Sequence, residues 1–210
     1  MYPVQKAVES IRAAQTAMMD VGMIRVNGRS EETIFLGSVS FGLGTEVNRF
    51  IEKYKAEGRW VTRMGHAGQI LSGLMATRAA FRNGKVPLTV EYSGVLEQKS
   101  VRSRFSLFVI LNTPLYANGI RFLKNCSPFD GYLNFLGFQT RGMMDTLSHY
   151  LNHRKKQFLN GPFTSMTIRF EEPVQIQVDG DILDQVSQMA VSLSNRRLKT
   201  IVPSDMKSVS

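Results

Sequence analysis

The sequence predicts a mainly β fold of the α+β class, an antiparallel β-sandwich with attached helices. From residue 88 onward, segments rich in valine, isoleucine, phenylalanine and threonine are separated by glycine, proline, asparagine and aspartate. Strand patterns outnumber helix patterns, and they do not alternate with helices as in a doubly wound parallel sheet. The 210 residues are 43% hydrophobic, enough to bury a core without disulfides or a structural metal.

The first half of the chain combines helices with one hairpin. Asn27-Gly28 is a strong turn signal between two extended segments, and Thr45 is a plausible N-cap for the helix that follows them. The predicted elements are a helix over 3–14, a strand over 23–26, an extended segment over 32–41, and helices over 45–56 and 61–81.

The second half is predicted to be almost entirely β, with one helix over 143–153. We predict a single domain over residues 1–203 and a flexible tail over 204–210. The predicted strands cover 88–92, 100–111, 132–140, 163–170, 174–178, 186–193 and 198–202.

The sharpest candidate site follows an alternating strand, where Val178 leads into Asp179-Gly180-Asp181. Glycine permits a positive φ and a close approach of another backbone or a substrate. Two carboxylates that share one local field suit general base chemistry. Asp-Gly is also the commonest hairpin turn, and spacing alone favours that simpler interpretation.

The second candidate is Ser127-Pro128-Phe129-Asp130-Gly131-Tyr132, in which a carboxylate sits in a tight loop. Carboxylate and carbonyl oxygens can bind Mg²⁺ or Ca²⁺. The alternative is a turn in which Asp130 bonds its own backbone, and the local pattern by itself favours this turn.

Other reactive residue types give weaker signals. His66, His149 and His153 lack metal-ligand spacing, and Cys126, the single cysteine, is expected to be a buried thiol. The run 41–44, Phe-Gly-Leu-Gly, is followed by no Lys-Ser/Thr pair, so its glycines are expected to serve close packing and not phosphate binding.

The formal net charge of +9 favours anionic partners, such as nucleic acid, a phospholipid surface or a phosphorylated substrate. No nucleic-acid-reading motif is present, so we expect no nucleic-acid partner. The amino-terminal segment has no apolar signal region, and the longest apolar runs are too short to span a bilayer. We therefore expect a cytoplasmic protein, peripheral at the membrane.

Several segments, in this order, resemble the diacylglycerol kinase/sphingosine kinase family of lipid kinases. Together they extend over nearly the whole chain, and their order and spacing carry the resemblance. They are Asp20-Val21-Gly22, the run 35–42, Arg63-Met64-Gly65, the run 118–131 that ends in Pro-Phe-Asp-Gly, Val178-Asp179-Gly180-Asp181, and the closing strand 198–203.

The resemblance implies a two-domain kinase, in which an N-terminal domain binds ATP and a C-terminal β-sandwich holds the lipid and the catalytic carboxylate. This chain corresponds to the second domain and contains no Gly-Gly-Asp-Gly-Thr loop, so the ATP-binding domain would be a partner. By the resemblance Asp181 is the general base, Asp179 supports it, and Asp130 binds Mg²⁺ together with carbonyls of Ser127 and Tyr132. The family usually has glutamate at the position of Asp181.

Three functions therefore remain open from the sequence. The first is the substrate-binding and catalytic-base domain of an ATP-dependent lipid kinase, with a lipid substrate and an anionic membrane surface as partners. The second is a lipid-binding module without catalysis. The third is a relative of the NAD kinases, which share the broader architecture. The oligomeric state and the particular lipid are not encoded in any motif.

Overall fold

A computed structural model describes residues 4–56, 74–75, 78, 88–94, 100–116, 120–121, 123, 125–138 and 159–203. Within these residues no helix combines the length and apolar character that crossing a membrane requires. The predicted helices over 61–81 and 143–153 and the tail 204–210 lie outside the described residues, apart from helical positions 74, 75 and 78.

The described elements with defined bounds are two helices and a series of short and long strands. The helices are α1 (Val4–Ala13) and α2 (Leu43–Ala56). The strands are β1 (Thr16–Met19), β2 (Gly22–Val26), β3 (Thr33–Phe35), β4 (Ser38–Gly42), β5 (Leu88–Gly94), β6 (Ser100–Phe105), β7 (Leu107–Leu111), β8 (Leu115–Tyr116), β9 (Ile120–Arg121), β10 (Leu133–Phe138), β11 (Leu159–Phe163), β12 (Ser165–Val178), β13 (Asp181–Leu193) and β14 (Leu198–Ile201).

The main sheet contains ten of the described strands, and every pairing recorded in it is antiparallel. Its path runs β11-β10-β7-β4-β12-β13-β2-β3. The long strand β12 is shared: residues 166–170 pair with β5, and residues 176–178 pair with β4. Its register against β13 shifts between Arg169 and Val174, so the two halves of β12 serve two arms of the sheet.

The core lies where these two arms face each other. The ring of Phe41 on β4 stacks on Phe108 of β7 at 5.0 Å and meets the edge of Phe170 from β12 at 4.9 Å. All three side chains are buried, and they belong to one cluster that also contains Ile176 and Met189. This folded-back antiparallel sheet confirms the predicted fold class, an α+β sandwich with attached helices.

The start of α2 differs from the prediction. The helix begins at Leu43, not at Thr45, so the assignment of Thr45 as the N-cap is wrong. Thr45 lies inside the first turn, is 1% exposed, and its Oγ1 donates a hydrogen bond to the Ser40 carbonyl oxygen at 3.3 Å. The threonine therefore joins the first turn of α2 to β4. From the sequence alone, a threonine in this role cannot be told from one that caps the helix.

Gly42, which directly precedes α2, serves close packing, as expected. A Cβ on Gly42 would lie 2.5 Å from the Ser106 carbonyl oxygen, and Gly42 has φ +80. That carbonyl instead accepts the Leu43 amide at 2.7 Å, which joins the helix start to the end of β6. Glycine is needed here because the strand and the Ser106 backbone approach so closely.

Several strand boundaries also differ from the predicted ones. Ser106 interrupts the predicted strand 100–111, because its amide bonds the Phe138 carbonyl in a neighbouring strand. Phe163 closes β11 instead of opening β12. The predicted strands 163–170 and 174–178 are joined into β12, and β13 begins at Asp181, five residues earlier than predicted.

Candidate functional site

The segment Asp179-Gly180 forms the two-residue turn between the long strands β12 and β13. Val178 pairs directly with Asp181 across the turn, and both turn residues have positive φ, +48 at Asp179 and +115 at Gly180. Aspartate tolerates the left-handed region better than most residues, and glycine enters it freely. The hairpin turn interpretation is therefore correct as a description of the backbone, and it presents two carboxylates at one tip.

The Asp179 carboxylate is bound to the loop between β3 and β4. It accepts three backbone hydrogen bonds, from Leu36 at 2.6 Å, Gly37 at 2.9 Å and Ser38 at 2.7 Å. The Asp179 amide in turn donates to the Ser38 carbonyl at 2.9 Å. Hydrogen bonds from main-chain amides to a carboxylate are among the stronger ones in proteins. Asp179 thus fixes the turn, and its oxygens are occupied by protein donors.

Asp181 has a different environment at the same tip. It is exposed, and among the residues the structure describes its carboxylate has no hydrogen-bond or ion-pair partner. The neighbouring helix α2 supports the turn from one side, where Asn48 Nδ2 donates to the Gly180 carbonyl at 3.4 Å. The geometry therefore leaves one carboxylate of the pair available to an incoming group.

The second candidate, loop 127–132, is held by an aspartate turn. Asp130 Oδ1 accepts the Tyr132 amide at 3.0 Å, and the Ser127 amide also bonds this carboxylate. Partial burial raises the pKa of Asp130, and the negative charge of Asp20 raises it further, against the opposing effect of the backbone donors. Ser127 and Tyr132 therefore contribute amide donors to Asp130, and the carbonyl roles predicted for them stay predictions.

The oxygen atoms of this loop are suitable ligands for a hard divalent cation. A cation would relieve the repulsion between Asp130 and the buried Asp20, and all candidate ligand atoms here are oxygens, which Mg²⁺ and Ca²⁺ prefer. Within the described parts of the chain no three His, Cys, Asp or Glu side chains cluster in a ligating arrangement. Any cation here would thus depend on main-chain carbonyls and water as well as on Asp130.

The single cysteine lies next to this loop and is structural. Cys126 is 5% exposed, and its Sγ lies 4.0 Å from the Leu111 carbonyl oxygen. Burial, and then the charge of Asp130, raise the pKa of this thiol to about 11. The prediction of a buried thiol is confirmed, and the raised pKa disfavours the thiolate form that a nucleophile needs. The three histidines lie outside the described residues.

Two further residues belong to the site, although the sequence singled out neither of them as functional. Asp20, 3% exposed, pairs through Oδ1 with Arg197 Nε at 3.1 Å and accepts the Gly131 amide on Oδ2 at 2.8 Å. Asn112 is fully buried and donates from Nδ2 to the carbonyls of Asp20 and Leu36. A polar residue directly after the buried strand β7 is the signal that could have indicated Asn112.

Comparison with known proteins gives matches only among solved structures. No protein-family model matches the chain, and no curated protein does. Three similar structures are reported for diacylglycerol kinases of Bacillus anthracis strain Sterne, two of them assigned provisionally. The first has 17% identity and a TM-score of 0.66, and the match covers 95% of this chain and 62% of that one. The others have 17% and 19% identity, TM-scores of 0.61 and 0.63, and cover 95% and 93% of this chain.

These matches establish the fold of the chain. It adopts the same β-rich architecture as the matched part of the diacylglycerol kinase structures. The chain spans about three fifths of their length, 60–62%. Any activity of this chain is therefore a matter for proposal.

Proposed function

We propose that this chain is the lipid-binding, catalytic-base part of an ATP-dependent lipid kinase that phosphorylates a diacylglycerol-like or sphingosine-like hydroxyl. The observation that carries the proposal is the division of roles at the β12–β13 turn. Asp179 is bound by three amides, whereas Asp181 beside it is exposed and has no partner among the described residues. A fixed turn that presents one free carboxylate is what general base catalysis on a hydroxyl requires.

In the proposed reaction the lipid hydroxyl oxygen attacks the γ-phosphorus of ATP. The new oxygen–phosphorus bond forms while the bond from the β,γ-bridging oxygen to the γ-phosphorus breaks, and ADP leaves with that electron pair. The hydroxyl proton passes to the Asp181 carboxylate, and Asp179 holds the turn in place. Because aspartate is one methylene shorter than the glutamate usual in this family, one water can bridge Asp181 and the hydroxyl.

The partners follow from the same assignment. The proposal requires a separate nucleotide-binding domain to hold ATP, and 38–40% of each similar structure lies beyond the match with this chain. The net charge of +9 supports attraction to an anionic phospholipid surface, where the substrate resides. Asp130 would hold Mg²⁺ or Ca²⁺ with carbonyls of Ser127 and Tyr132, and the ion would neutralise charge in loop 127–132.

The test measures transfer of labelled phosphate from ATP to diacylglycerol or sphingosine in anionic vesicles, with NAD as a competing acceptor. The assay uses the full-length gene product that contains this chain. We expect a labelled lipid and no labelled NAD phosphate. Labelled NAD phosphate alone would favour the NAD kinase alternative. Vesicle binding without any transfer would favour the lipid-binding module and contradict the kinase proposal.

A further inference from the structure

Asp20 joins the end of β1 to loop 127–132 through both its main chain and its side chain. Its amide donates to the Pro128 carbonyl at 2.7 Å, and its Oδ2 accepts the Gly131 amide at 2.8 Å. The loop that carries Asp130 is therefore held on both sides of Asp130 by one buried carboxylic residue.

Asn112 extends this connection to the opposite loop, the one between β3 and β4. Its Nδ2 donates to the Asp20 carbonyl at 2.8 Å and to the Leu36 carbonyl at 2.9 Å. The main-chain amide of Asn112 donates to the Gly37 carbonyl at 3.0 Å. Asn112 thus bridges two chain segments that are 92 and 76 residues away from it in sequence.

The bridged loop is the one that binds Asp179. The amides of residues 36–38 all donate to the Asp179 carboxylate, while the carbonyls of Leu36 and Gly37 accept from Asn112. The Leu36–Gly37 and Gly37–Ser38 peptide groups therefore each bond Asn112 through the carbonyl and Asp179 through the amide. A continuous series of hydrogen bonds of 2.6–3.0 Å connects loop 127–132 with the turn that presents Asp181.

Burying the Asn112 side chain has a cost in folding free energy. The residue is 0% exposed, and its Oδ1 has no hydrogen-bond partner among the described residues. An unpaired buried amide oxygen costs free energy that an apolar side chain would not cost. Two donor bonds to carbonyls of different loops offset this cost, which points to a role in joining those loops.

We propose that Asn112 is a positioning residue that couples loop 127–132 to the Asp179-Gly180-Asp181 turn. A change in the Asp130 loop is transmitted through Asp20 and Asn112 to the amides that hold Asp179, and so to the direction of Asp181. The functional part of this inference rests on the proposed kinase function, because it gives Asp181 its importance. The coupling itself is independent of ATP and lipid.

The test is a thermodynamic cycle in chelator, so that no cation contributes. Urea unfolding is measured for Asp179→Ala, Asp130→Ala and the double variant, in the wild-type, Asn112→Ser and Asn134→Ser backgrounds. Asn134 is the comparison residue, a 9% exposed asparagine on β10 whose side chain bonds Cys126 but, among the described contacts, neither the Asp20 carbonyl nor loop 36–38. Coupled residues depart from additivity, whereas independent ones do not.

We expect the unfolding constant of the double variant to differ at least about threefold from the value that the single variants predict, in wild type and in Asn134→Ser. In Asn112→Ser the discrepancy should fall below about 1.5-fold. Equal discrepancies in all three backgrounds, or none in wild type, would overturn the proposal.

A spectroscopic measurement keeps the inference testable if Asn112→Ser does not fold. In the folded protein, Asp130→Ala should shift the backbone amide resonances of Gly37 and Ser38, which lie at the far end of the connection. The amide of Gly28, in the remote β2–β3 hairpin, serves as the control and should not move. Unchanged Gly37 and Ser38 resonances would contradict the coupling, and neither measurement depends on whether the protein is a kinase.

Discussion

At the scale of single residues, two aspartates on either side of one glycine have opposite surroundings. Asp179 accepts three amides from loop 36–38, and Asp181 projects from the start of β13 without a described partner. A Cβ on Gly37 would lie 2.9 Å from Asp179 Oδ1, so the loop is closely fitted to this carboxylate. The two residues are both aspartates, so it is their surroundings that distinguish their roles.

The first prediction separates these roles by stability. Asp179→Asn replaces one of the two accepting oxygens with a donor that faces backbone amides, so it should lower the free energy of unfolding by about 1–3 kcal/mol. The matched variant Asp181→Asn should change it by less than about 0.5 kcal/mol. Urea denaturation with comparable m-values checks both variants. Equal losses would mean that Asp181 also has a structural role.

The second prediction concerns Asp130 and pH. Its pKa is raised in the folded protein, so the carboxyl favours folding while protonated, and this contribution is lost as pH rises from the unfolded-state pKa through the folded-state pKa. Relative to Asp130→Asn, the wild type should therefore become less stable across this acidic range in chelator. Thermal melts at a series of pH values measure the difference.

The same carboxyl gives a cation-dependent outcome. Mg²⁺ or Ca²⁺ should raise the wild-type melting temperature at pH 7, and this stabilisation should disappear in acid because protons compete for the ligand oxygen. Asp130→Asn should show no stabilisation at either pH. Equal melting of wild type and variant in cation and in chelator would show that loop 127–132 has no metal site.

At the scale of elements, local patterns predicted the strands and turns where the local signal decides the structure. The alternating residues Val174, Ile176 and Val178 lie in β12, as predicted. The two predicted turns, Asn27-Gly28 and Asp179-Gly180, are tight turns in which both residues have positive φ. Boundaries set by distant partners were missed. Thr45 lies in the first turn of α2, where its hydroxyl donates to the Ser40 carbonyl, and the Ser106 amide donates to the Phe138 carbonyl.

The third prediction tests the hairpin of β2 and β3. Asn27 has φ +53, its Nδ2 donates to the Gln185 carbonyl, and its Oδ1 accepts the Ser187 and Gln188 amides. Asn27→Ala removes these bonds and places a Cβ in a strained backbone, so it should cost about 1–3 kcal/mol in urea unfolding.

Asn27→Gly is the matched control, because it removes the same bonds but relieves the backbone strain. We expect it to recover part of the loss, by about 1 kcal/mol. If Asn27→Ala unfolds like wild type, the side chain does not join this hairpin to β13.

At the scale of the whole molecule, the candidate site is assembled from segments that are far apart in sequence. Asp179 lies 143 residues from Leu36, and Gly131 lies 111 residues from Asp20. The Asp-Gly motifs were visible as local patterns, so the candidate carboxylates could be predicted. Asp20 and Asn112 could not, because their roles depend on which loops the folded sheet brings together.

The structural matches place these segments on the fold of diacylglycerol kinase structures at 17–19% identity. We propose that on this fold the exposed Asp181 takes the proton from a lipid hydroxyl, while Asp179 keeps the turn in place. The hydrogen bonds that hold Asp179 and the formal net charge of +9 support this proposal.

The most direct test is steady-state phosphate transfer from ATP to lipid by the full-length gene product, comparing wild type with Asp181→Asn and Asp181→Glu. Loss of a general base should lower kcat by about 10²–10⁴-fold in Asp181→Asn, with ATP affinity nearly unchanged because the proposed base would contact the acceptor and not the nucleotide. Asp181→Glu, which introduces the residue usual in diacylglycerol and sphingosine kinases, should keep or raise the rate. An Asp181→Asn enzyme with wild-type turnover would contradict the account and leave Asp179-Gly180-Asp181 as a turn alone.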